Sequence, residues 1–355
     1  MPRANWIVQA FRPGRSSCEL DSEQAAFGSP CCAPSRPDHE PARQPIPVKK
    51  RENQGVDSQM VQIPAGKFLM GSESIESFSS DGEGPVREVS VDSFFISKTT
   101  VSNFEFAQFV ADTGYETEAE TLGWSFVFSG QLEREQVSVE LIGQLPNTPW
   151  WSAVRGASWK HPTGPSSSTD SIPNHPVVHI SWNDALSYAT WMGMRLPTEA
   201  EWERAARGTL VQAKFPWGED LLQNGQHRCN VWQGEFPLQN DCDDGYFATS
   251  PCESFEPNDF GLYNVSGNVW EWTSDWMSVD WHAEETLATR LNPAGPLSGD
   301  LRVTKGGSFL CHDSYCTRYR LSARSGISPD SSLSHTGFRV VADLHANSQI
   351  SEVRP

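Results

Sequence analysis

Residues 261–272 have the sequence GLYNVSGNVWEW, in which small and amide residues precede two tryptophans that flank a glutamate. They lie inside a longer region, 215–281, where Gly, Pro, Asn and Asp recur every few residues among further tryptophans. Residues of these types favour turns over continuous helices or strands. The region therefore predicts a loop-rich body whose order depends on aromatic packing or on bound ions.

Short helices and strands are predicted around this region. Each of the three predicted helices follows a capping residue: 103–111 after Ser102, a second from Ser181 to about Gly193, and a third from Thr198 to Gly208. Two strands are predicted from runs of β-branched residues: 86–91 and 177–180. This mixture indicates the α+β class, with few short helices and strands and many loops.

A pair of cysteines stands in a polar and basic setting further along the chain. Residues 306–320 have the sequence GGSFLCHDSYCTRYR, with Cys311 and Cys316 five positions apart. At that spacing two side chains meet only if the chain bends through a turn, and the glycines at the start favour a bend. Two thiolates held together form a soft donor pair, which suits redox chemistry or a soft metal such as Cu(I).

Positive charge surrounds the pair in the sequence. The potentially cationic neighbours are Lys305, His312, Arg318, Arg320 and Arg324. Such groups favour the thiolate, so the sequence predicts a lowered pKa for the two thiols. Charged neighbours also argue against simple burial of both cysteines in a core.

Three other interpretations of the pair are open on the residues alone. A structural disulfide between Cys311 and Cys316 fits the spacing. A structural zinc site needs two more ligands, and no second closely spaced Cys or His pair of zinc type follows. Two unrelated buried thiols form the third interpretation. The residues favour a dithiol that is catalytic, binds a soft metal, or does both.

Charge and composition set further bounds. The chain has 355 residues and a formal net charge of −18. Residues 1–60 hold eight prolines, eight Lys or Arg and seven Asp or Glu without apolar periodicity, and we expect a disordered N-terminal extension there. The remainder has 19 basic and 38 acidic residues, a net charge of −19. An acidic body disfavours nucleic acid and anionic membranes as partners.

The expected location is the cytoplasm. No apolar run approaches the roughly twenty residues of a membrane-spanning helix. The apolar run near the N-terminus, residues 6–8, is too short for the core of a signal peptide. We therefore expect a soluble protein without a signal peptide, with Met60 as an alternative start.

Four blocks of the sequence carry a resemblance to a known family. They are residues 306–341, which include the cysteine pair, and three others: 61–72 (VQIPAGKFLMGS), 195–203 (RLPTEAEWE) and 261–272. Together they resemble the formylglycine-generating enzymes, also called sulfatase-modifying factors, over 61–344, which leaves 345–355 as a C-terminal tail. The last three blocks also occur in relatives with other functions, including non-catalytic ones, whereas the cysteine pair marks the activity. The resemblance implies a C-type-lectin-like α+β fold.

The resemblance also implies a function. It is an aerobic oxidase that converts the cysteine of a Cys-x-Pro-x-Arg motif in unfolded sulfatase polypeptides to Cα-formylglycine. Cys311 and Cys316 would hold Cu(I), the substrate thiol would add a third sulfur, and molecular oxygen and a thiol reductant would be co-reactants. Ser308 would offer a hydroxyl to the substrate thiol or to oxygen, and Trp270 would wall the oxygen pocket. An acidic patch is expected to meet the substrate arginine.

Two structural calcium sites are implied in the same way. The ligands are Asn230, Val231, Asp244 and Tyr246 in the first site, and Asn264, Gly267, Val269 and Glu271 in the second. Calcium takes six to eight oxygen ligands from carboxylates, amides and backbone carbonyls, which irregular loops provide. Without the resemblance, the two asparagines are more simply turn residues.

Other cysteine and histidine positions are interpreted as structural. In luminal relatives extra disulfides occupy positions that here are apolar, namely Ala189, Ala206, Leu321 and Val340, which fits a reducing compartment. A local bridge between Cys242 and Cys252 stays open. His175 and His179 resemble part of an iron motif of sulfoxide-forming relatives, but Ser181 stands where that motif needs a glutamate.

One position departs from the family pattern. Trp124 stands where relatives carry aspartate, which leaves the substrate contacts near Ser125 undecided.

Two further functions remain open at this point. One is a non-catalytic, lectin-like binding module in which Cys311 and Cys316 form a structural disulfide. The other is a metal-free thiol oxidase whose cysteines cycle through a disulfide. Cu(I) binding by the reduced protein distinguishes the copper oxidase from the binding module, and activity under copper chelation distinguishes it from the metal-free oxidase.

Overall fold

The computed structural model describes residues 34–36, 58–133 and 140–343. Within these ranges the helices are α1 (Asn103–Thr113), α2 (Glu118–Leu122), α3 (Trp182–Trp191), α4 (Glu199–Arg207) and α5 (Leu287–Arg290). The strands of three or more residues are β1 (Met60–Ile63), β2 (Gly66–Met70), β3 (Arg87–Val91), β4 (Phe94–Ser97), β5 (Trp124–Phe128), β6 (Leu141–Gln144), β7 (Trp151–Arg155), β12 (Trp270–Trp276), β13 (Arg302–Lys305), β14 (Arg324–Ile327) and β16 (Val341–Asp343). The two-residue strands are β8 (Leu222–Gln223), β9 (Gln226–His227), β10 (Gly234–Glu235), β11 (Gln239–Asn240) and β15 (Thr336–Gly337). The predicted α+β, loop-rich fold is confirmed.

The helices begin where the sequence predicts. Ser102, Ser181 and Thr198 each start a helix through a capping box, in which side chain and backbone satisfy each other's free donors. Helix α1 extends to Thr113, beyond the predicted end, because it stops only at Gly114, which takes the left-handed conformation. None of the helices in the described ranges is long and apolar enough to cross a membrane.

One of the two predicted strands is absent. Strand β3 covers all but the first residue of the other prediction, but residues 177–180 form no strand. His179 has a φ of 60°, which turns the chain. The backbone amides of Val177 and His179 donate to Val101 and Leu333, which lie on different segments. The residues therefore cross between loops and do not extend a sheet.

A four-stranded sheet carries the loops that matter most. Its strand order is β14-β13-β12-β15, with β15 parallel to β12 and the other neighbours antiparallel. The loop 306–323 joins β13 to β14, and the loop 328–335 leads from β14 to β15. Thr336, at the start of β15, pairs with Trp270 at the start of β12. One end of the sheet therefore gathers the loop with the cysteine pair, the end of the second loop and Trp270.

Aromatic packing orders the region between residues 215 and 281. The ring of Trp232 meets Phe128 edge-on at 5.5 Å between centroids and Phe236 at 5.2 Å. Trp272 is fully buried and its indole N–H donates to the Ile180 carbonyl at 2.9 Å. Buried aromatic rings of this size contribute much of a core's apolar area, so they hold in place a chain that has few regular hydrogen-bond ladders.

Candidate active site

The two cysteines meet through consecutive turns. Cys311 Sγ lies 3.6 Å from Cys316 Sγ, and neither cysteine takes part in a disulfide. Backbone hydrogen bonds from Cys311 N to Ser308 O (3.0 Å) and from Cys316 N to His312 O (2.7 Å) close the turns that bring them together. The separation is far longer than the roughly 2.05 Å of a disulfide, so no such bond joins them in this structure.

The expectation that charged neighbours would keep the thiols from the core is wrong. Cys311 and Cys316 are each 1% exposed and pack in one cluster with Phe215, Trp270 and Tyr319. The chain turns both thiols inward against these rings, and of the basic side chains of the same loop Arg318 stays near them, with its Nη1 3.9 Å from Cys316 Sγ. The result is a dithiol in a water-poor, aromatic environment.

The predicted lowering of the thiol pKa is also wrong for Cys311. Burial, and then the neighbouring Cys316 thiol, raise the pKa of Cys311 well above its usual value. The basic neighbours do not offset this because carboxylates remote in the sequence pair with them: Lys305 with Glu203 at 2.9 Å, Arg318 with Asp81 at 2.5 Å, Arg320 with Glu83 at 2.6 Å and Arg324 with Glu199 at 2.7 Å. Most of their charge is therefore neutralised locally.

Ser308 lies beside the thiols and is held by a histidine that was not singled out from the sequence. The Ser308 backbone N–H donates to Cys311 Sγ at 3.4 Å, and the Ser308 hydroxyl lies 2.8 Å from His335 Nδ1. Burial lowers the pKa of His335 to about 3, so the ring is neutral. Trp270 lies next to it, because the Trp270 backbone N–H donates to the His335 carbonyl at 2.8 Å. Ser308, Trp270 and the two cysteines, predicted as site residues, thus lie together.

A second pocket holds the side chain of Arg36. Arg36 is 6% exposed. Its Nε donates to the Asp330 carbonyl (2.9 Å), and its Nη2 donates to the Trp124 carbonyl (3.1 Å) and to Ser332 Oγ (3.0 Å). The guanidinium also lies over the Trp124 ring, 4.1 Å from its centroid. Trp124, the departure from the family pattern, therefore binds a guanidinium through its ring and its carbonyl.

Acidic groups surround this pocket. Asp330, Glu118 and Asp184 all act on the Arg36 guanidinium electrostatically. Burial, reinforced by Glu118, raises the pKa of Asp184 to about 7, and burial raises the pKa of Glu118. Glu118 Oε2 has no hydrogen-bond partner among the described residues. These residues form the kind of acidic patch that was expected to meet an arginine.

The loop 328–335 connects the arginine pocket to the thiols. Ser332 accepts from Arg36 at one point of the loop, and His335, three residues later, contacts Ser308 beside Cys311. Ser125 braces the loop, because its hydroxyl donates to the Ser332 carbonyl at 2.7 Å. Both sites therefore contact one loop, and we call the strip along this loop, from the Arg36 pocket to Ser308, the groove.

The two histidines interpreted as structural have separate partners. His175 Nδ1 lies 3.0 Å from Thr249 Oγ1. His179 Nδ1 lies 2.7 Å from Ser125 Oγ, and its Nε2 lies 2.9 Å from the Pro162 carbonyl. Burial lowers the pKa of His179 to about 3, so it supports the loop through Ser125 as a neutral ring.

The first predicted calcium set converges on Asp244. Its carboxylate accepts from Val231 N (3.0 Å) and from Tyr246 N (2.9 Å). Gln233 Nε2 donates both to Asp244 Oδ2 and to the Val231 carbonyl. These two oxygens are therefore close enough to contact one common partner. Asn230 instead donates its amide to the Ala248 carbonyl at 2.7 Å. Asp244 and Val231 fit a cation site in their donor chemistry.

The second predicted set is only partly oriented for calcium. Asn264 Oδ1 is buried without a hydrogen-bond partner among the described residues. A buried oxygen of this kind suits the role of a cation ligand. Glu271, in contrast, binds Arg339 through both carboxylate oxygens at 2.6 Å and accepts from Trp202 Nε1 at 2.6 Å. Across the described ranges, no three His, Cys, Asp or Glu side chains cluster as metal ligands. Both predicted calcium sets consist mainly of residues that could offer amide or carbonyl oxygens.

The other cysteines of the described ranges are unbonded. Cys242 and Cys252 are both free, and Cys252 Sγ lies 3.5 Å from Thr100 Oγ1. The four apolar positions expected to replace disulfides are buried in two core clusters, one with Ala189 and Val340 and the other with Ala206 and Leu321.

The sequence matches the family described as sulfatase-modifying factor enzyme 1-like domain over residues 46–344. It is 56% identical to a formylglycine-generating enzyme of Thermomonospora curvata, over 83% of this chain and 97% of that protein. It is 54% identical to a protein of the same name from Bos taurus, over 81% and 75% of the two chains. An inactive Cα-formylglycine-generating enzyme 2 of Mus musculus is 42% identical, over 80% and 85% of the chains.

Solved structures with the same fold are more distant in sequence. PvdO from Pseudomonas aeruginosa has a TM-score of 0.57 at 23% identity, over 85% of this chain and all of that chain. Treponema denticola variable protein 1 has a TM-score of 0.51 at 20% identity, over 80% and 94% of the chains. At these identities the likeness concerns the fold alone.

Proposed function

The chain belongs to the sulfatase-modifying factor enzyme 1-like family, and on that premise we propose that it converts a cysteine of sulfatase polypeptides to Cα-formylglycine. Family membership alone does not decide this, because a relative that is 42% identical is named as inactive. The observation that carries the proposal is the pair of buried, reduced thiols 3.6 Å apart at the end of the four-stranded sheet.

Cu(I) is the proposed cofactor, and Cys311 and Cys316 fit it. Their sulfurs are soft donors that face each other and are not joined by a disulfide. When bound, the metal supplies the redox chemistry with molecular oxygen. The Ser308 N–H donates to Cys311 Sγ, and Arg318 Nη1 lies 3.9 Å from Cys316 Sγ, so each sulfur has a donor that stabilises negative charge.

Side chains next to the thiols would contact the substrate and molecular oxygen. Trp270 Nε1 is buried without a hydrogen-bond partner among the described residues, so it offers a donor to a small ligand. The Ser308 hydroxyl forms a hydrogen bond with the neutral ring of His335, which fixes the position of this hydroxyl in the turn before Cys311 without adding charge. The surrounding rings exclude water from the reacting atoms.

The proposed substrate motif is Cys-x-Pro-x-Arg in an unfolded sulfatase polypeptide. The pocket formed by Trp124, Ser332 and the Asp330 carbonyl already binds a guanidinium, which supports its use for the motif's arginine. Because the same loop reaches Ser308, an extended peptide with its arginine in this pocket directs its cysteine toward the thiols.

Supporting ions and conditions are part of the proposal. Calcium would stabilise the loops around Asp244 and Asn264, a thiol reductant would supply electrons, and the reaction would take place in the cytoplasm. The free state of the cysteines in the described ranges supports a reducing location. The net charge of −18 supports the absence of nucleic acid and membrane partners.

The test uses a synthetic peptide that contains Cys-x-Pro-x-Arg. After incubation with the Cu(I)-loaded protein, a thiol reductant and air, mass spectrometry should find an aldehyde in place of the peptide's cysteine. Cys311→Ser should abolish the product and reduce Cu(I) binding. Cys229→Ser, which changes another buried thiol of the same cluster, should retain both.

The outcomes separate the alternative functions. No aldehyde despite demonstrated copper loading favours a binding module. Unchanged activity in metal-stripped protein with a tight copper chelator favours a thiol oxidase that cycles its own disulfide.

A further inference from the structure

The N-terminal segment contributes the side chain that fills the arginine pocket. Arg36 lies 295 positions from Ser331, yet its backbone N–H donates to Ser331 Oγ at 2.9 Å and its guanidinium is buried. Burial of a guanidinium is costly unless its donors are satisfied; here Nε and Nη2 have partners, whereas Nη1 is buried without one among the described residues. Burial lowers the pKa of Arg36 only to about 10, so the group enters the pocket charged. The contact is therefore a specific binding interaction.

The residues just before Arg36 follow the same groove. Pro34 is buried, and Ser35 Oγ accepts from Ser328 N at 3.1 Å. Ser35 and Arg36 thus lie along the loop 328–335, which runs between the arginine pocket and the thiols. The segment binds the loop through backbone and side-chain hydrogen bonds, as an extended peptide ligand does.

The sequence of this segment is Cys32-Ala33-Pro34-Ser35-Arg36. It has the Cys-x-Pro-x-Arg arrangement proposed above for the substrate. Only Cys32 has the register for it, since Cys31 is followed two positions later by Ala33. The disordered extension expected over residues 1–60 is therefore wrong for Ser35 and Arg36, which are held by hydrogen bonds to the loop 328–335.

The span from Arg36 to Cys32 is comparable with the length of loop that separates the arginine pocket from His335. Cys32 lies outside the described residues, but it is four positions from Arg36, which spans at most about 14 Å. On the wall of the groove, Ser332 and His335 are three positions apart, at most about 11 Å, and His335 contacts Ser308 beside Cys311.

We infer that residues 32–36 are a built-in substrate segment, in which Arg36 anchors the chain in the pocket and Cys32 is the thiol that the site oxidises. The inference rests on the proposed function and adds a modification site within the chain itself. While the segment is seated, it also excludes an external arginine from the same pocket.

The chemical step balances with the reagents already named. The Cys32 side chain, one molecule of oxygen and two molecules of thiol reductant give the aldehyde, one hydrogen sulfide, one reductant disulfide and one water. The Cβ–S bond breaks and a Cβ–O double bond forms. The oxygen molecule accepts four electrons, two from the Cys32 side chain and two from the reductant.

The test follows residue 32 in the full-length, Cu(I)-loaded protein with reductant and air. An aminooxy probe traps the aldehyde, and peptide mass spectrometry locates it. We expect conversion at Cys32 with a rate constant independent of protein concentration. Arg36→Ala should lower the initial rate at least about tenfold, because it removes several charge-assisted hydrogen bonds. Cys31→Ser and Arg43→Ala, changes in the same segment outside the motif, should leave the rate unchanged.

An external Cys-x-Pro-x-Arg peptide in a parallel reaction separates the two hypotheses. If the external peptide is converted while residue 32 stays a cysteine, the inference is overturned and the proposed function stands. If the copper-loaded protein converts neither, the proposed function fails and the inference fails with it. Equal conversion of Cys32 in wild type and Arg36→Ala would contradict the anchoring role of Arg36.

Discussion

The charge of Lys305 is neutralised by a buried carboxylate and does not act on the nearby thiols. It is fully buried, and its Nζ lies 2.9 Å from Glu203 Oε2 and 3.1 Å from the Ser322 carbonyl. Burial acts to raise the pKa of Glu203, but Lys305 and Arg207 outweigh that effect and lower it to about 2. The positive charge that sequence proximity assigned to the thiols is thus engaged by a carboxylate on helix α4.

We expect Glu203→Gln to destabilise the protein by about 3–5 kcal/mol at pH 7, because it removes the buried carboxylate that lies 2.9 Å from Lys305 and 2.8 Å from Arg207. The pKa of Glu203 in the folded state, about 2, lies below its unfolded value of about 4.3. The wild-type pair therefore stabilises the fold fully above about pH 5 and loses that contribution as the pH falls toward 2. Urea unfolding at pH 7 and across the acid range measures both effects.

A surface ion pair provides the control for this prediction. Glu88 and Lys67 are 2.7 Å apart, but both side chains are more than half exposed. Solvent screens such a pair, so Glu88→Gln should change the free energy of unfolding little. If the two variants behaved alike, the buried pair would have no special role.

The residues of the thiol site are predictable from the sequence, but their burial and the pKa of the Cys311 thiol are not. Cys311, Cys316, Ser308 and Trp270 were selected by residue type and family pattern, and they lie together. Their burial and the raised pKa of the Cys311 thiol were missed, because both depend on groups from segments remote in the chain. His335 had no local signal of its own beyond its place in the C-terminal block.

The turn before the thiols depends on glycine in a way that a single variant tests. Gly307 has a φ of 72°, and a Cβ added there would lie 2.8 Å from the Cα of Tyr319. Gly225 has a similar φ of 77°, but a Cβ there would meet nothing within 4 Å. We expect Gly225→Ala to cost about 1–2 kcal/mol from backbone strain alone. Gly307→Ala should cost clearly more, because the backbone at Tyr319 must move, and it should weaken Cu(I) binding by displacing Cys311.

Urea unfolding of both glycine variants, with Cu(I) titration of each, measures these effects. Similar losses of stability in the two variants would mean that the contact with Tyr319 yields easily. Undiminished copper binding in Gly307→Ala would show that the turn tolerates a shift.

Elements were predictable where local chemistry decides them. The capping boxes at Ser102, Ser181 and Thr198 satisfy their own helix ends, so the signal lies within a few residues. Residues 177–180 have the composition of a strand, yet His179 adopts a positive φ and its ring contacts Ser125. That contact is tertiary, and no pattern of four residues contains it.

At the scale of the molecule, the sheet end brings together segments that are far apart in sequence. The loops 306–323 and 328–335 flank β14, and the N-terminal residues 34–36 lie along the second of them. The thiol pair, the arginine pocket and the segment that fills the pocket thus share one groove. The thiol pair was predictable from the sequence. The arginine pocket was not, because its residues come together only in the folded chain.

A groove already occupied by its own chain should bind external substrate weakly. A tethered competitor acts at a high effective concentration, of the order of mM for short flexible connections. Arg36→Ala removes the anchor of that competitor, so we expect the apparent KM for a Cys-x-Pro-x-Arg peptide to fall by about tenfold. The value of kcat should change little, because Arg36 belongs to the competing segment and not to the reacting groups.

Steady-state kinetics with the full-length protein test this, with Arg43→Ala as the matched control. Arg36→Lys sharpens the experiment, because lysine keeps the charge but lacks the planar fork that contacts Asp330, Trp124 and Ser332. Its apparent KM should lie between those of wild type and Arg36→Ala. An unchanged KM in both variants would mean that the peptide's arginine binds elsewhere, and the groove would then serve the N-terminal segment alone.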